Sequence, residues 1–305
     1  MASSTLFILL LCSPTLTFGF PSPWMSLTWK RAAETPRKVP ELGYYNPLDS
    51  GGSMLTKIPV TYPMGQGEPV NAIISGASDA EVLVDAEVGG GLRNYFFSLG
   101  FSGECLGQHA GSHQMVDLGD GNGAKNETSV IRWNYGDVEL GSCKETIQGG
   151  NHFRYWVQNG PTANSGAIFM AVSYEMPIAL QHDIVRNGYN FGRDYLIGNL
   201  TKTTVPTANL TDQVTYTASS SFNGYAYDTH VKYVSGMLPN TNDGINHNVT
   251  VGWDGVNSSD GLVAVMTVKM TTKPQSASAW RSAQMGFLKY PPAVLLVVFP
   301  LLFAV

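Results

Sequence analysis

Short apolar, β-branched and aromatic segments recur along most of this chain, and they limit its fold more than any other feature. Val70 to Ser75 is a buried-type run closed by Gly76; Val130 to Tyr135, His152 to Gln158 and Ala167 to Tyr174 follow it. After Asn199 come Val214 to Thr217, Tyr225 to Val234, His247 to Trp253 and Leu262 to Thr271, with Asn223-Gly224 as a hairpin turn signal between two of them. Period-two alternation and β-branched content mark such segments as strands, because successive side chains leave a strand on opposite faces. One helical pattern stands among them. Ser78 with Glu81 three residues on is a capping box that predicts a helix from Asp79, broken at Gly89-Gly90-Gly91, resumed through Leu92 to Phe97 and stopped by Gly100. The expected class is α+β: a mixed α/β core over 44–198, then a β-rich, sandwich-like part over 199–273. Periodicity leaves open whether that second part is a separate sandwich or adds strands to the first sheet.

The ends of the chain point to export. Thr5 to Phe20 is an apolar run closed by Thr17-Phe18-Gly19, so 1–19 reads as a signal peptide, with a short N-terminal anchor as the alternative. Residues 20–43 are Pro-rich and read as a linker or a pro-segment, with Lys30-Arg31 as the processing pair. Over 274–305, small residues at Ser276-Ala277-Ser278, a spacer to Lys289 and the apolar Tyr290 to Val305 match a glycosylphosphatidylinositol attachment signal. Ser276 or Ser278 is the expected attachment residue and Ser282-Ala283 a rival; a single-pass tail anchor is the alternative. Sequons at Asn126, Asn199, Asn209, Asn248 and Asn257 agree with passage through the secretory pathway. The net charge of -5 gives no electrostatic footprint for nucleic acid. The membrane, through the C-terminal anchor, and an extracellular small-molecule or cell-wall ligand are the expected partners; no cofactor is predicted.

Candidate chemistry concentrates between Cys105 and Asp194. Once the signal is removed, Cys105 and Cys143 are the remaining cysteines, and an even pair in an oxidising compartment reads as a disulfide; a Cys nucleophile with a His base is the alternative. Cys105, His109 and His113 are spaced four apart, a metal-ligand spacing if helical, but the interleaved glycines favour a polar loop. Asp117 to Gly123 has calcium-loop composition without the EF-hand register, and reads as a Gly-rich turn between strands. In the strand from His152, alternation puts His152, Arg154 and Trp156 on one face. Arg supplies a planar fork for carboxylate or phosphate, and His moves protons near neutral pH or binds metal. The competing reading pairs Arg154 with Asp183 or Asp194.

Several blocks carry a resemblance. Ser53-Met54-Leu55-Thr56, Gly67 to Asn71, Leu118 to Gly123 and Gly150 to Arg154 look like a family of secreted fungal proteins of unassigned activity, over roughly Tyr44 to Asn199. More distantly, Glu68 to Asn71, His152 to Trp156, Ala167 to Ser173, His182-Asp183-Ile184 and Arg193 to Leu196 resemble in order the bacterial LssY C-terminal domain. The chain departs from that pattern at Asn151, at Gln181-His182 and in its Cys pair. The bacterial relatives sometimes accompany membrane phosphatase or transport-like segments, which implies a phosphorylated or lipid-linked ligand.

Two functions follow. The first is a membrane-anchored surface glycoprotein that binds or organises without catalysis; neither a Gly-x-Ser-x-Gly nor a His-Glu-x-x-His motif is present. The second is a phosphate-ester hydrolase with His152 or His182 as general acid or base, Asp183 orienting an imidazole, and Arg154 and Arg193, beside Asp194, holding the anion.

Overall fold

The computed structural model describes residues 36–109, 111–252 and 255–274, which belong to one compact unit. The expected signal peptide, the Lys30-Arg31 pair and the expected Ser276/Ser278 attachment region lie outside the described residues. The strands are β1 (Ala72–Ile74), β2 (Phe101–Gly103), β3 (Met115–Asp117), β4 (Ala124–Asn126), β5 (Ser129–Trp133), β6 (Gly150–Asn159), β7 (Asn164–Glu175), β8 (Thr215–Phe222), β9 (Tyr225–Val234), β10 (Asn240–Thr241), β11 (Ser259–Asp260) and β12 (Val263–Thr272). The helices are α1 (Leu92–Ser98), α2 (Gly141–Gln148), α3 (Gly188–Thr201) and α4 (Asn248–Val251). The fold is α+β.

Eight strands form one mixed sheet in the order β2-β5-β6-β7-β1-β12-β9-β8. β1 runs parallel to β12 and antiparallel to β7, and the other neighbours in the sheet are antiparallel. β1 is therefore the seam between the early strands and the late ones. The β-rich second part adds its strands to the first sheet rather than making a sandwich of its own, because β12 satisfies the β1 edge that the early strands leave open.

Alternation along β6 divides the interior. Phe153 and Tyr155 join Tyr95 and Phe96 of α1 and Leu196, Ile197 and Leu200 of α3 on one face. Trp156 joins Tyr44, Met54, Val116, Leu118 and Phe169 on the other. α3 lies directly on β7 because Gly188 and Gly192 present no side chain to it: a Cβ on Gly192 would stand 2.5 Å from the carbonyl carbon of Ser173. Two buried amides clamp this contact. Asn71 Nδ2 donates to Val172 O (2.9 Å) and Tyr189 O (3.0 Å), and its Oδ1 accepts from Val172 N (3.0 Å). Asn151 Nδ2 donates to Ser173 O (2.8 Å) and Gly192 O (3.0 Å).

Three local expectations are corrected. No helix starts at Asp79. Ser78 Oγ accepts from Val268 N and Asp79 Oδ2 from Met270 N, so these side chains satisfy the backbone of β12 instead of a helix terminus. His247 to Trp253 is not a strand: His247 takes a left-handed conformation and leads into α4, while Trp253 lies outside the described residues. The third concerns α2 and α3, which sequence patterning did not anticipate because α3 is buried over much of its circumference and α2 is short. The Asn223-Gly224 hairpin is present, with φ of 50° and 78°, joining β8 to β9. Asp117 to Gly123 is the turn between β3 and β4.

Replacing Asn71 by Ala strands the paired groups of β7 and α3, and it is expected to lower unfolding stability by about 2–3 kcal/mol, measured by urea denaturation.

Candidate functional site: a buried ionic layer on one face of the sheet

Register brings the polar side chains together. Arg132 on β5, His152 on β6 and Ser173 on β7 are cross-strand neighbours, and Arg154 lies one pair further along. Gly150 is paired with Glu175, whose side chain therefore falls on the same face. His152 is 2% exposed. Its Nε2 stands 3.4 Å from Glu175 Oε1 and 3.3 Å from Ser173 Oγ.

The Cys105–Cys143 disulfide closes a sequence separation of 38 and brings two carboxylates to this strand face. Glu104 precedes one cysteine, and Glu145 follows the other by half a helical turn on α2. Arg132 lies among them: Nη1 donates to Glu145 Oε2 (2.9 Å) and Glu175 Oε2 (3.4 Å), and Nη2 is 3.7 Å from Glu104 Oε1. The free-thiolate reading of either cysteine is thereby excluded, as is Cys105 as a metal ligand beside His109 and His113.

The charges in this layer respond to burial and to each other. Burial keeps the His152 imidazole neutral, pushing it down to about 4 against the pull of Glu175. Burial likewise pushes the Glu145 carboxyl up to about 7, Arg132 notwithstanding. Burial also opposes ionisation of Glu175, but the surrounding His152, His182 and Arg132 outweigh it and hold that carboxyl at about 2. His182 is raised, because Glu175 Oε2 lies 3.3 Å from its Nδ1. Several buried polar atoms here have no hydrogen-bond partner among the described residues: Glu145 Oε1, Glu68 Oε2 and Arg154 Nε.

Arg154 has its own carboxylate. Its Nη1 donates to Glu127 Oε1 at 2.9 Å, and Glu127 Oε2 accepts from Gln114 N at 2.8 Å. His113 Nδ1 is 3.1 Å from the same Oε1. His109 stacks on His113 with centroids 4.4 Å apart, and its Nδ1 is 2.8 Å from Glu104 Oε2. The disulfide-bonded loop thus covers the strand carrying His152 and Arg154, joining two stretches that look independent in sequence.

The other expected site residues fall elsewhere. Arg193 is 0% exposed on the helix-bearing face, where Tyr233 also packs. It holds Asp194 in a fork (2.7 and 2.9 Å) and Asp260 in another (2.8 and 2.8 Å), and donates to Leu262 O (2.8 Å). Asp194 Oδ1 also accepts from Tyr233 Oη (2.7 Å). Asp183 orients neither His152 nor His182; its Oδ1 is 2.6 Å from His247 Nδ1. The expected partners of Arg154, Asp183 and Asp194, are replaced by Glu127. Glu104, Glu127, Arg132, Glu145 and Glu175 went unnoticed in sequence; Arg132, on an alternating strand otherwise apolar at Val130 and Ile131, was the legible sign.

The sequons divide. Asn126 and Asn209 are exposed. Asn257 Nδ2, which would carry a sugar, donates to Asn240 O and Oδ1 (3.2 and 2.8 Å), and Asn199 Nδ2 is buried on α3. Asn248 is half-buried, its Oδ1 3.4 Å from Gln66 Nε2. No family model, curated protein or solved structure matches this chain in comparison.

Replacing Arg193 by Met leaves Asp194 and Asp260 without their cation, and a loss of roughly 3–5 kcal/mol is expected, read from chemical denaturation. The double Cys105→Ser, Cys143→Ser variant is expected to lose about 4 kcal/mol on the chain-entropy account and to gain a protease-sensitive site between 104 and 114, seen by limited proteolysis and mass spectrometry.

Proposed function

We propose that this chain is an exported, membrane-anchored surface glycoprotein that works by binding or by organising its surroundings, rather than a phosphate-ester hydrolase. One observation carries the choice: both arginines that would hold a phosphate are spent on carboxylates, Arg193 on Asp194 and Asp260 and Arg154 on Glu127. An anion entering either place would have to displace a charge-assisted pair in a low-dielectric setting. His152 is too enclosed to meet a substrate directly. The exposed apolar tip formed by Val60, Tyr62 and Met64 offers such a module a contact surface. The disulfide suits an oxidising compartment, and the small residues Ser276-Ala277-Ser278 followed by a spacer and the apolar Tyr290 to Val305 support a C-terminal anchor.

The protein purified from a secretory host, with and without added divalent metal, is expected to turn over a panel of phosphate and carboxylate esters no faster than its His152→Ala variant. Turnover by the wild type that His152→Ala abolishes overturns the reading. Phosphatidylinositol-specific phospholipase is expected to release the protein from membranes; retention while a control anchored protein is released favours a spanning tail.

A further inference from the structure

The ionic layer contains a feature that pairing alone does not account for. Arg132 Nη1 donates to Oε2 of Glu145 and to Oε2 of Glu175. Glu145 Oε1 has no hydrogen-bond partner among the described residues although Glu145 is 0% exposed, and Glu175 Oε1 faces His152 Nε2 at 3.4 Å. One carboxylate oxygen from each glutamate and one ring nitrogen of His152 lie within 4.8 Å of one another. We propose that Glu145, His152 and Glu175 form a binding site for one first-row divalent transition-metal ion, of which Zn²⁺ is the probe of choice.

Geometry, donor type and charge all support this assignment. Metal–nitrogen and metal–oxygen bonds of about 2.0–2.2 Å set neighbouring donors of a tetrahedral ion roughly 3.3–3.5 Å apart, the spacing found between His152 Nε2 and Glu175 Oε1. Imidazole with two carboxylates is a donor set for zinc, manganese or ferrous ions rather than for calcium, which takes oxygen ligands alone. Arg132 supplies what ligating carboxylates generally have, an outer hydrogen bond that fixes their orientation. Its positive charge does not forbid a cation. With an ion in place of a proton on Glu145, the three carboxylates of Glu104, Glu145 and Glu175 around Arg132 are balanced by one guanidinium and one dication. The part-exposed His182, 3.3 Å from Glu175 Oε2, borders the group on its outer side.

The outer group of His109, His113 and Glu127 is the weaker competitor. Both oxygens of Glu127 are already engaged, by Arg154 and His113 on one side and by the Gln114 amide on the other. That leaves the ring nitrogens of His109 and His113 without an uncommitted carboxylate oxygen beside them, whereas the inner group keeps Glu145 Oε1.

The experiment uses the whole secreted protein, stripped with a chelator, dialysed against Zn²⁺ and assayed by atomic emission alongside a thermal melt. One equivalent of zinc per chain is expected, with a rise in Tm of roughly 5 °C at an ion concentration about 100-fold above Kd. Glu145→Gln, which preserves shape and the Arg132 contact, is expected to weaken uptake at least 10-fold. The His109→Ala, His113→Ala double variant is expected to bind normally. Absence of uptake by the wild type overturns the proposal; so does uptake that survives Glu145→Gln but disappears in the double histidine variant. Should Glu145→Gln fail to fold by circular dichroism, anomalous diffraction at the zinc edge from wild-type crystals decides. A peak among Glu145, His152 and Glu175 supports the site, and a peak confined to His109 and His113 refutes it. Zinc binding without ester turnover leaves the proposed function intact.

Discussion

Burying a charge in this protein depends on bringing its opposite from a different part of the chain. Removing an ion from water costs several kcal/mol, recovered only when a partner and further hydrogen bonds meet it in good geometry. Arg132, Arg154 and Arg193 are all at least nine-tenths buried, and their carboxylates come from elements and loops other than their own, apart from Asp194 beside Arg193. These pairs therefore act as long-range staples. Arg193 ties α3 to the segment entering β12, while Arg132 ties α2 and the Cys105 turn to the end of β7. Removing one partner of either pair leaves an uncompensated buried charge and weakens the fold.

The amides and the disulfide complete that arrangement. Asn71 and Asn151 hold α3 against β7 through backbone groups, so the helix packs at glycine distance and its apolar residues reach the α1 core. On the opposite face the disulfide makes a wet loop into a cover. Glu104, beside Cys105, contacts Arg132, and His109 and His113 border the layer from its exposed rim. A network this dense in carboxylate and imidazole is more than the strands need for pairing, and it is there that an ion is proposed.

The α+β class, most strands, α1, the Asn223-Gly224 hairpin and the shared face of His152, Arg154 and Trp156 were legible, since each depends on local periodicity or turn chemistry. So was the cysteine pair. The helix at Asp79 was misread because Ser78 and Asp79 hydrogen-bond as readily to the backbone of a distant strand as to their own helix terminus. Arg193 and Asp194 were expected in a site because their block falls in the order of the resembling bacterial pattern, although Tyr233 and Asp260 make them a sealed structural pair. Glu127, Glu145 and Glu175 escaped notice because isolated glutamates have no pattern.

What the chain determines alone is therefore local: which segments alternate, which faces their side chains take, and which turns the glycines and Asn223 permit. Whether the late strands stand apart or join the first sheet was decided by the open edge of β1, a pairing made with residues nearly two hundred positions away. The same holds for the ionic layer. Arg132 and His152 declare a polar strand face, but only the sheet register, the α2 position and the disulfide decide that Glu145 and Glu175 meet it, because Coulomb and ligand interactions act over a few ångströms in space and leave no spacing in sequence.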